Sequence, residues 1–334
     1  MTNARRKLRL HIAALTSQPE VFWVTEERFQ AACRRHPDLA RHLDADWSWE
    51  LDRFDDGVRD AELMIGWRFP TKDLAEKAPH LRWIQLTGAG TEHLQPLDWL
   101  ARGTHMTNNS GVHAPKAAEF AGTAILMLNS DIPHFATRQR ARDWAKRFST
   151  TIDEKTLLIL GLGAMGGAAA RWVKRRLGLR VIGVRRSARP HRYADLVVST
   201  EQLDEVLPEA DFVLVTLPLT PETELLLDRR RLGLMKPGGG LINLGRARVV
   251  DYEALADCLE EGRISGAVLD VFDAEPLPKS SPLWSTPNLV LIPHCSSDDA
   301  ENYIPLTLDF FFRNLARYLE GRPLRNRISR QTHY

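Results

Sequence analysis

Cysteine is scarce in this 334-residue chain. Cys33, Cys258 and Cys295 stand far apart and form no C-x-x-C pair, which excludes a disulfide framework and fits a reducing compartment. A cytoplasmic protein is expected. Long apolar runs are missing as well. The most apolar stretch, Leu157 to Ala170, is broken by glycines and falls short of the roughly 20 residues that span a bilayer, so no membrane partner is expected. At the start, MTNARRKLRLHIAAL has basic side chains before an apolar run too short for a signal-peptide core, and a first β-strand is expected there. Charge of one sign is absent too. Lys+Arg 45 against Asp+Glu 43 leaves a formal +2, which gives no general field for nucleic acid. No metal site, internal repeat or low-complexity tract is expected.

What is present is the ordinary globular mix, with 43% hydrophobic and 26% charged residues, at a length that implies two domains with a site between them. Strand-like runs alternate with helix-like segments: LRLHIAAL, AELMIGW, RWIQLTG, TLLILGLG, LRVIGV, DFVLVTLP, GGLINLG and SGAVLDVF. This alternation predicts parallel sheets wrapped by helices, an α/β protein. Helical stretches are expected over Ala114 to Leu128 and over Pro133 to Arg147, with Trp144 and Phe148 packing close to the next strand. Near the C-terminus, Leu306, Phe310 and Leu315 have helical spacing, stopped by Gly321 and Pro323. That helix is expected to cross back to the N-terminal domain.

The run TLLILGLG leads into GLGAMGG, so Gly161, Gly163 and Gly166 fall in the order G-x-G-x-x-G between a strand and a helix, with Ala164 and Met165 inside the loop. In such loops the first glycine makes the tight turn, the second admits a pyrophosphate, and the third lets helix and strand pack closely. A carboxylate that grips a free ribose is expected about 20 residues further on. Arg185 stands there instead, followed by Arg186 and Ser187, which is chemistry for a 2′-phosphate. NADP(H) is therefore expected in preference to NAD(H). Thr216, Leu217 and Pro218, at the end of the run DFVLVTLP, are candidates for the adenine side.

Three later segments deliver polar residues to one rim, because parallel strands share one carboxyl edge. These are Arg246 in INLGRARVVD, Asp270 and Glu275 in SGAVLDVFDAEPLP, and His294 in NLVLIPHCSS. Reduction of a 2-keto acid needs a cation for the carboxylate, a proton donor for the carbonyl oxygen and a hydride in reach. A guanidinium suits the first through two parallel hydrogen bonds. An imidazole, titrating near about 6.5, suits the second, and a carboxylate beside it holds the ring. Taken singly, each residue also fits a surface ion pair, a solvated loop acid or a satisfied strand-end histidine.

Together with RWIQLTGAGTEHL, NNSGVHAPKAAEFA, LPLTPET and MKPGGGLINLGRARVVD, these segments resemble the D-isomer-specific 2-hydroxyacid dehydrogenases from about Trp83 to Asn326. The resemblance implies that Arg246, Glu275 and His294 are catalytic, that Asp270 contacts the nicotinamide carboxamide, and that the TGAGT loop, Gly88, Ala89, Gly90 and Thr91, receives the substrate carboxylate. It implies a Rossmann-type doubly wound domain, residues 109–298, inserted into a smaller flavodoxin-like α/β substrate domain formed by residues 1–108 and 299–334. It further implies a homodimer acting on a small 2-keto acid of the glyoxylate or hydroxypyruvate kind. Two departures stand out: Ala247 follows the arginine where Gly is usual, and Arg185 replaces an acid. A dinucleotide-sensing, corepressor-like binding protein is the alternative on the same fold, and turnover separates the two. Trp47, Trp49, Trp67 and Trp284 are aromatic residues that sequence alone does not place.

Overall fold

Apolar runs separated by helical segments build two parallel sheets in the computed structural model, which describes residues 6–329. The smaller sheet contains β1 (Leu8–Ala14), β2 (Leu43–Trp49), β3 (Leu63–Gly66), β4 (Trp83–Leu86) and β5 (His105–Thr107) in the order β2-β1-β3-β4-β5. Every neighbouring pair is parallel, and Ile12 stands opposite both Ile65 and Trp47. This is the flavodoxin-like order.

The larger sheet contains β6 (Thr156–Leu160), β7 (Arg180–Val184), β8 (Leu196–Val198), β9 (Phe212–Val215), β10 (Gly240–Asn243), β11 (Gly266–Leu269) and β12 (Leu289–Leu291). Its order is β12-β11-β10-β9-β6-β7-β8, again all parallel. Chain direction across the sheet reverses at β6 and β9, the switch point where doubly wound folds open a crevice at the carboxyl ends of their strands. The central strands are apolar on both faces because both are covered. Leu158, Leu160, Val213 and Leu241 pack on one side, and Leu157, Ile159, Leu214 and Ile242 on the other.

The chain divides into two units. One runs up to Val112 and resumes at Asp299; the other is His113–Asp298. The return is made by the helix Tyr303–Leu319, whose Phe311, Phe312 and Leu315 join Leu10, Ile12 and Trp83 in the core of the smaller sheet. Trp83 and Phe311 stack with centroids 5.0 Å apart. Burial of each such large side chain contributes about 2 kcal/mol, which is why the C-terminal segment belongs to the N-terminal sheet.

One expectation is corrected. The helix expected to reach Arg147 ends at Arg140, Arg142 has φ of 56°, and residues 143–151 form no regular element. The chain there is drawn back along its own path by Arg147 pairing with Asp131 at 3.2 Å and by Asn129 Nδ2 donating to the Thr150 carbonyl at 3.0 Å. Trp144 and Phe148 are consequently 92% and 89% exposed instead of packing on the next strand. Among the described residues no helix is long and apolar enough to cross a membrane.

Candidate active site

At the switch point β6 enters the glycine loop. Gly161 has φ of +99°, a conformation that costs an L side chain about 1–2 kcal/mol. A Cβ on Gly166 would lie 1.9 Å from the Gly161 carbonyl oxygen, so helix and strand pack as closely as the motif requires, whereas a Cβ on Gly163 would meet nothing within 4 Å. The helix Ala164–Arg176 begins there with no side-chain cap, so Ala164 and Met165 present first-turn N–H groups on the open side. A glycine cradle beside a helix N-terminus without a side-chain cap fits the pyrophosphate of a dinucleotide. Thr216 serves this loop structurally, since its hydroxyl donates to the Gly161 carbonyl at 2.7 Å. Leu217 lies over Gly161, and the Pro218 carbonyl accepts from Thr223 Oγ1 at 2.7 Å.

The residues after β7 divide their work. The Arg185 guanidinium donates to the carbonyls of Arg189 and Pro190 and so holds its own loop, while Arg186 and Ser187 are exposed.

Further along the same carboxyl edge, β10, β11 and β12 deliver the polar residues. Arg246 follows β10 and donates from Nη1 to the Gly245 carbonyl at 2.9 Å. Ala247 starts a 3-10 turn and is absent from the residues with positive φ, so the missing glycine imposes no strain. Asp270 follows β11 and is only 3% exposed. The backbone N–H groups of Cys295 and Ser296 donate to its Oδ1 at 3.1 Å each, and Ser296 Oγ donates to its Oδ2 at 2.6 Å. Burial raises the Asp270 pKa, and these donors together with the charge of His294 oppose the rise.

His294 follows β12 with φ of 49°, a left-handed conformation uncommon outside glycine. Its Nδ1 lies 2.8 Å from Glu275 Oε2, while Glu275 Oε1 accepts from the Phe272 N–H at 2.9 Å. An ionised carboxylate only accepts, so Nδ1 carries the proton and the tautomer is set, leaving Nε2 for another partner. The His294 side chain is 47% exposed. Asp298 lies in the same field, its carboxyl pushed up to about 6 by burial and by the charge of Asp270, against the opposing pull of His294.

In the smaller unit the TGAGT loop follows β4. Its carbonyls are engaged: Thr87 accepts from Asn109 Nδ2 and Tyr303 Oη, Gly88 from the Asn109 N–H, and Ala89 from Asn108 Nδ2. Ala89 is exposed on this loop, while Gly88 and Thr91 are buried. Trp67 packs so closely on Gly88 that a Cβ there would sit 2.4 Å from the indole. The larger unit thus brings Arg246, Asp270, Glu275 and His294 to the edge that also carries the glycine loop. Ser296, Asn243 and Tyr252 belong to no motif in the sequence because their hydrogen bonds join separate strand ends, and Asp298 enters only through the field of Asp270 and His294. A buried Ser beside His294 and a Tyr opening the helix after Val-Val-Asp were the only traces available.

Comparison with known proteins bears on the whole arrangement. Residues 123–296 match the D-isomer specific 2-hydroxyacid dehydrogenase NAD binding domain. The chain is 33% identical over 251 residues to a glyoxylate reductase of Thermococcus gammatolerans, covering 72% of this chain and 75% of that protein. It is 34% identical over 273 residues to glyoxylate/hydroxypyruvate reductase B of Pectobacterium carotovorum, covering 78% and 85%. A solved D-isomer specific 2-hydroxyacid dehydrogenase from Xanthobacter autotrophicus Py2, in complex with NADPH and MES, superposes with a TM-score of 0.81 at 28% identity, over 98% of this chain and 100% of that one. With an uncapped glycine cradle at the switch point and a carboxylate-held histidine on the same edge, the chain belongs to the D-isomer-specific 2-hydroxyacid dehydrogenase family of NAD(P)-dependent oxidoreductases.

Proposed function

We propose that the protein reduces a short 2-keto acid, of the glyoxylate or hydroxypyruvate kind, to the D-2-hydroxy acid, with NADPH preferred over NADH. The observation that carries this reading is the His294–Glu275 pair, with Nδ1 bonded at 2.8 Å and the ring half-exposed at the carboxyl edge of the nucleotide-binding sheet. A bound nicotinamide supplies the hydride for C2. His294 gives the proton on Nε2 to the keto oxygen, which turns the carbonyl into a hydroxyl and leaves a neutral imidazole. Glu275 accepts from Nδ1 throughout, so it fixes the ring and stabilises its charged form.

Arg246 binds the substrate carboxylate through two parallel N–H donors. The N–H groups of Gly88, Ala89, Gly90 and Thr91 are the competing receiver, and Arg246→Lys distinguishes the two. Asp270 has three donors on about four acceptor positions, which leaves one for the nicotinamide carboxamide. Preference for NADPH rests on Arg186 and Ser187, exposed after β7, with Arg185 bracing the loop they sit on. The Xanthobacter relative was solved with NADPH, which supports the same choice.

The reading extends to a cytoplasmic homodimer. The exposed Trp144 and Phe148 are the apolar surface a second copy would cover, and sedimentation of the Trp144→Ala, Phe148→Ala variant should show a monomer. The function itself is tested by following absorbance at 340 nm with a panel of 2-keto acids and each reduced cofactor. Glyoxylate and hydroxypyruvate should be turned over, faster with NADPH. Tight cofactor binding without turnover of any keto acid would overturn the reading in favour of a dinucleotide-sensing binding protein.

A further inference from the structure

We infer that Tyr252 is a positioning residue for this site, its phenol tying the turn that carries Arg246 to the loop that carries Glu275. The inference rests on the reading that Arg246 receives the substrate carboxylate.

The turn after β10 closes around one side chain. Asn243 Oδ1 accepts from the Gly245 N–H at 3.0 Å, and Asn243 Nδ2 donates to the Arg246 carbonyl at 3.0 Å. The same Nδ2 donates to Tyr252 Oη at 2.9 Å. Tyr252 Oη in turn donates to the Val271 carbonyl at 2.9 Å. A phenol has one proton to give, and here it goes to the segment between Asp270 and Glu275 while a lone pair takes the Arg246 turn. The two loops belong to neighbouring strands, β10 and β11, so the link spans the edge of the sheet at the point where their side chains must act together.

The strut has a firm base. Tyr252 is the first residue of the helix Tyr252–Glu260, whose N-terminus is capped by Asp251 accepting from the Ala254 N–H at 3.0 Å. Burial raises the phenol's pKa further above its ordinary value, so the hydroxyl remains a donor throughout the range in which such an enzyme works. Arg246 is held at its backbone carbonyl, one residue's geometry away from the guanidinium. Turning the guanidinium out of line loses one of the two parallel N–H donors that meet the substrate carboxylate, which weakens substrate binding.

Tyr252→Phe keeps the ring and removes the link. Steady-state kinetics with glyoxylate and NADPH should show KM for glyoxylate raised about tenfold or more, the worth of one charged hydrogen bond, with kcat and KM for NADPH within about twofold of wild type. A role confined to stability would not move one KM alone. In the Arg246→Lys background the same substitution should add less than half of its single effect, because the group it positions is already impaired. If Tyr252→Phe is poorly soluble, Tyr252→Met fills the ring volume without the hydroxyl and should give the same selective rise. Unchanged glyoxylate KM in Tyr252→Phe beside a raised one in Arg246→Lys would overturn the positioning role alone, as would full additivity of the two or a parallel rise in both KM values. Unchanged kinetics in Arg246→Lys would overturn the carboxylate assignment and this inference with it.

Discussion

Among the described residues His11, His36 and His294 sit beside carboxylates, and the contrast between His11 and His294 is the informative one. His11, on β1, has Nδ1 3.2 Å from Asp46 and Nε2 2.9 Å from Ser48 Oγ, the order of groups found in a nucleophilic triad. Yet His11 is 0% exposed and Ser48 1% exposed, the ring edge meets Phe54, and a Cβ on Gly57 would stand 2.2 Å from it. Both imidazole nitrogens are used inside the protein. His294 has the same kind of partner at 2.8 Å, but it stands at a strand's carboxyl end, half-exposed and in a left-handed backbone conformation, with one nitrogen left over. A histidine–carboxylate distance therefore does not identify a catalyst. The catalytic role proposed for His294 rests on its open nitrogen and its place on the sheet edge.

Substitutions on each side of this comparison sharpen it. Arg246→Lys keeps the charge but loses the two-donor geometry, so kcat/KM for glyoxylate should fall about ten- to hundredfold. Cofactor affinity, read by fluorescence titration, should stay unchanged. His11→Ala should do the reverse. Loss of the buried ring leaves Ser48 Oγ without this partner and opens a cavity beside Gly57, at a cost of about 2 kcal/mol or more in urea denaturation. Its kcat should remain within about twofold of wild type. A large kcat loss with unchanged stability in His11→Ala would erase the distinction between the two sites.

The smallest effect concerns the acids around His294. Asp298 holds its proton up to about pH 6 in the folded chain, against about 4 for an ordinary Asp. Between those values the folded state binds more protons than the unfolded state, so this group makes stability fall as pH rises. Asp298→Asn should match wild type near pH 4 and exceed it by about 1 kcal/mol at pH 7.5, after discounting for the solvent-open part of the site. An equal difference at both pH values would show that Asp298 is not strained by its surroundings.

Much of this arrangement was legible in the sequence, for identifiable reasons. β6, β9, β10 and β11 read clearly because strands covered on both faces must be apolar throughout. The glycine loop read clearly because each glycine answers to a local steric demand. β2, with the sequence LDADWSW, did not, since it is an edge strand whose Asp44 and Asp46 face outward. β5 and β8 have three residues each, too few for a period. The helix expected to reach Arg147 failed on a long-range capture of that arginine by Asp131, which no local pattern encodes. The same limit hid Tyr252 and Ser296: their partners Asn243, Val271 and Asp270 lie on different strand ends. Arg185 is the instructive middle case. Its position after β7 follows from the sequence, but its guanidinium is engaged by carbonyls only a few residues away.

Protonation of the keto oxygen by the open nitrogen of His294 can be followed by single-turnover stopped flow. Wild type, His294→Ala and His11→Ala would each be mixed, saturated with NADPH, against glyoxylate, with loss of absorbance at 340 nm recorded. His294→Ala should slow the transient by about two to four orders of magnitude while NADPH affinity is retained, and His11→Ala should keep the wild-type transient. A wild-type transient in His294→Ala would contradict this protonation step.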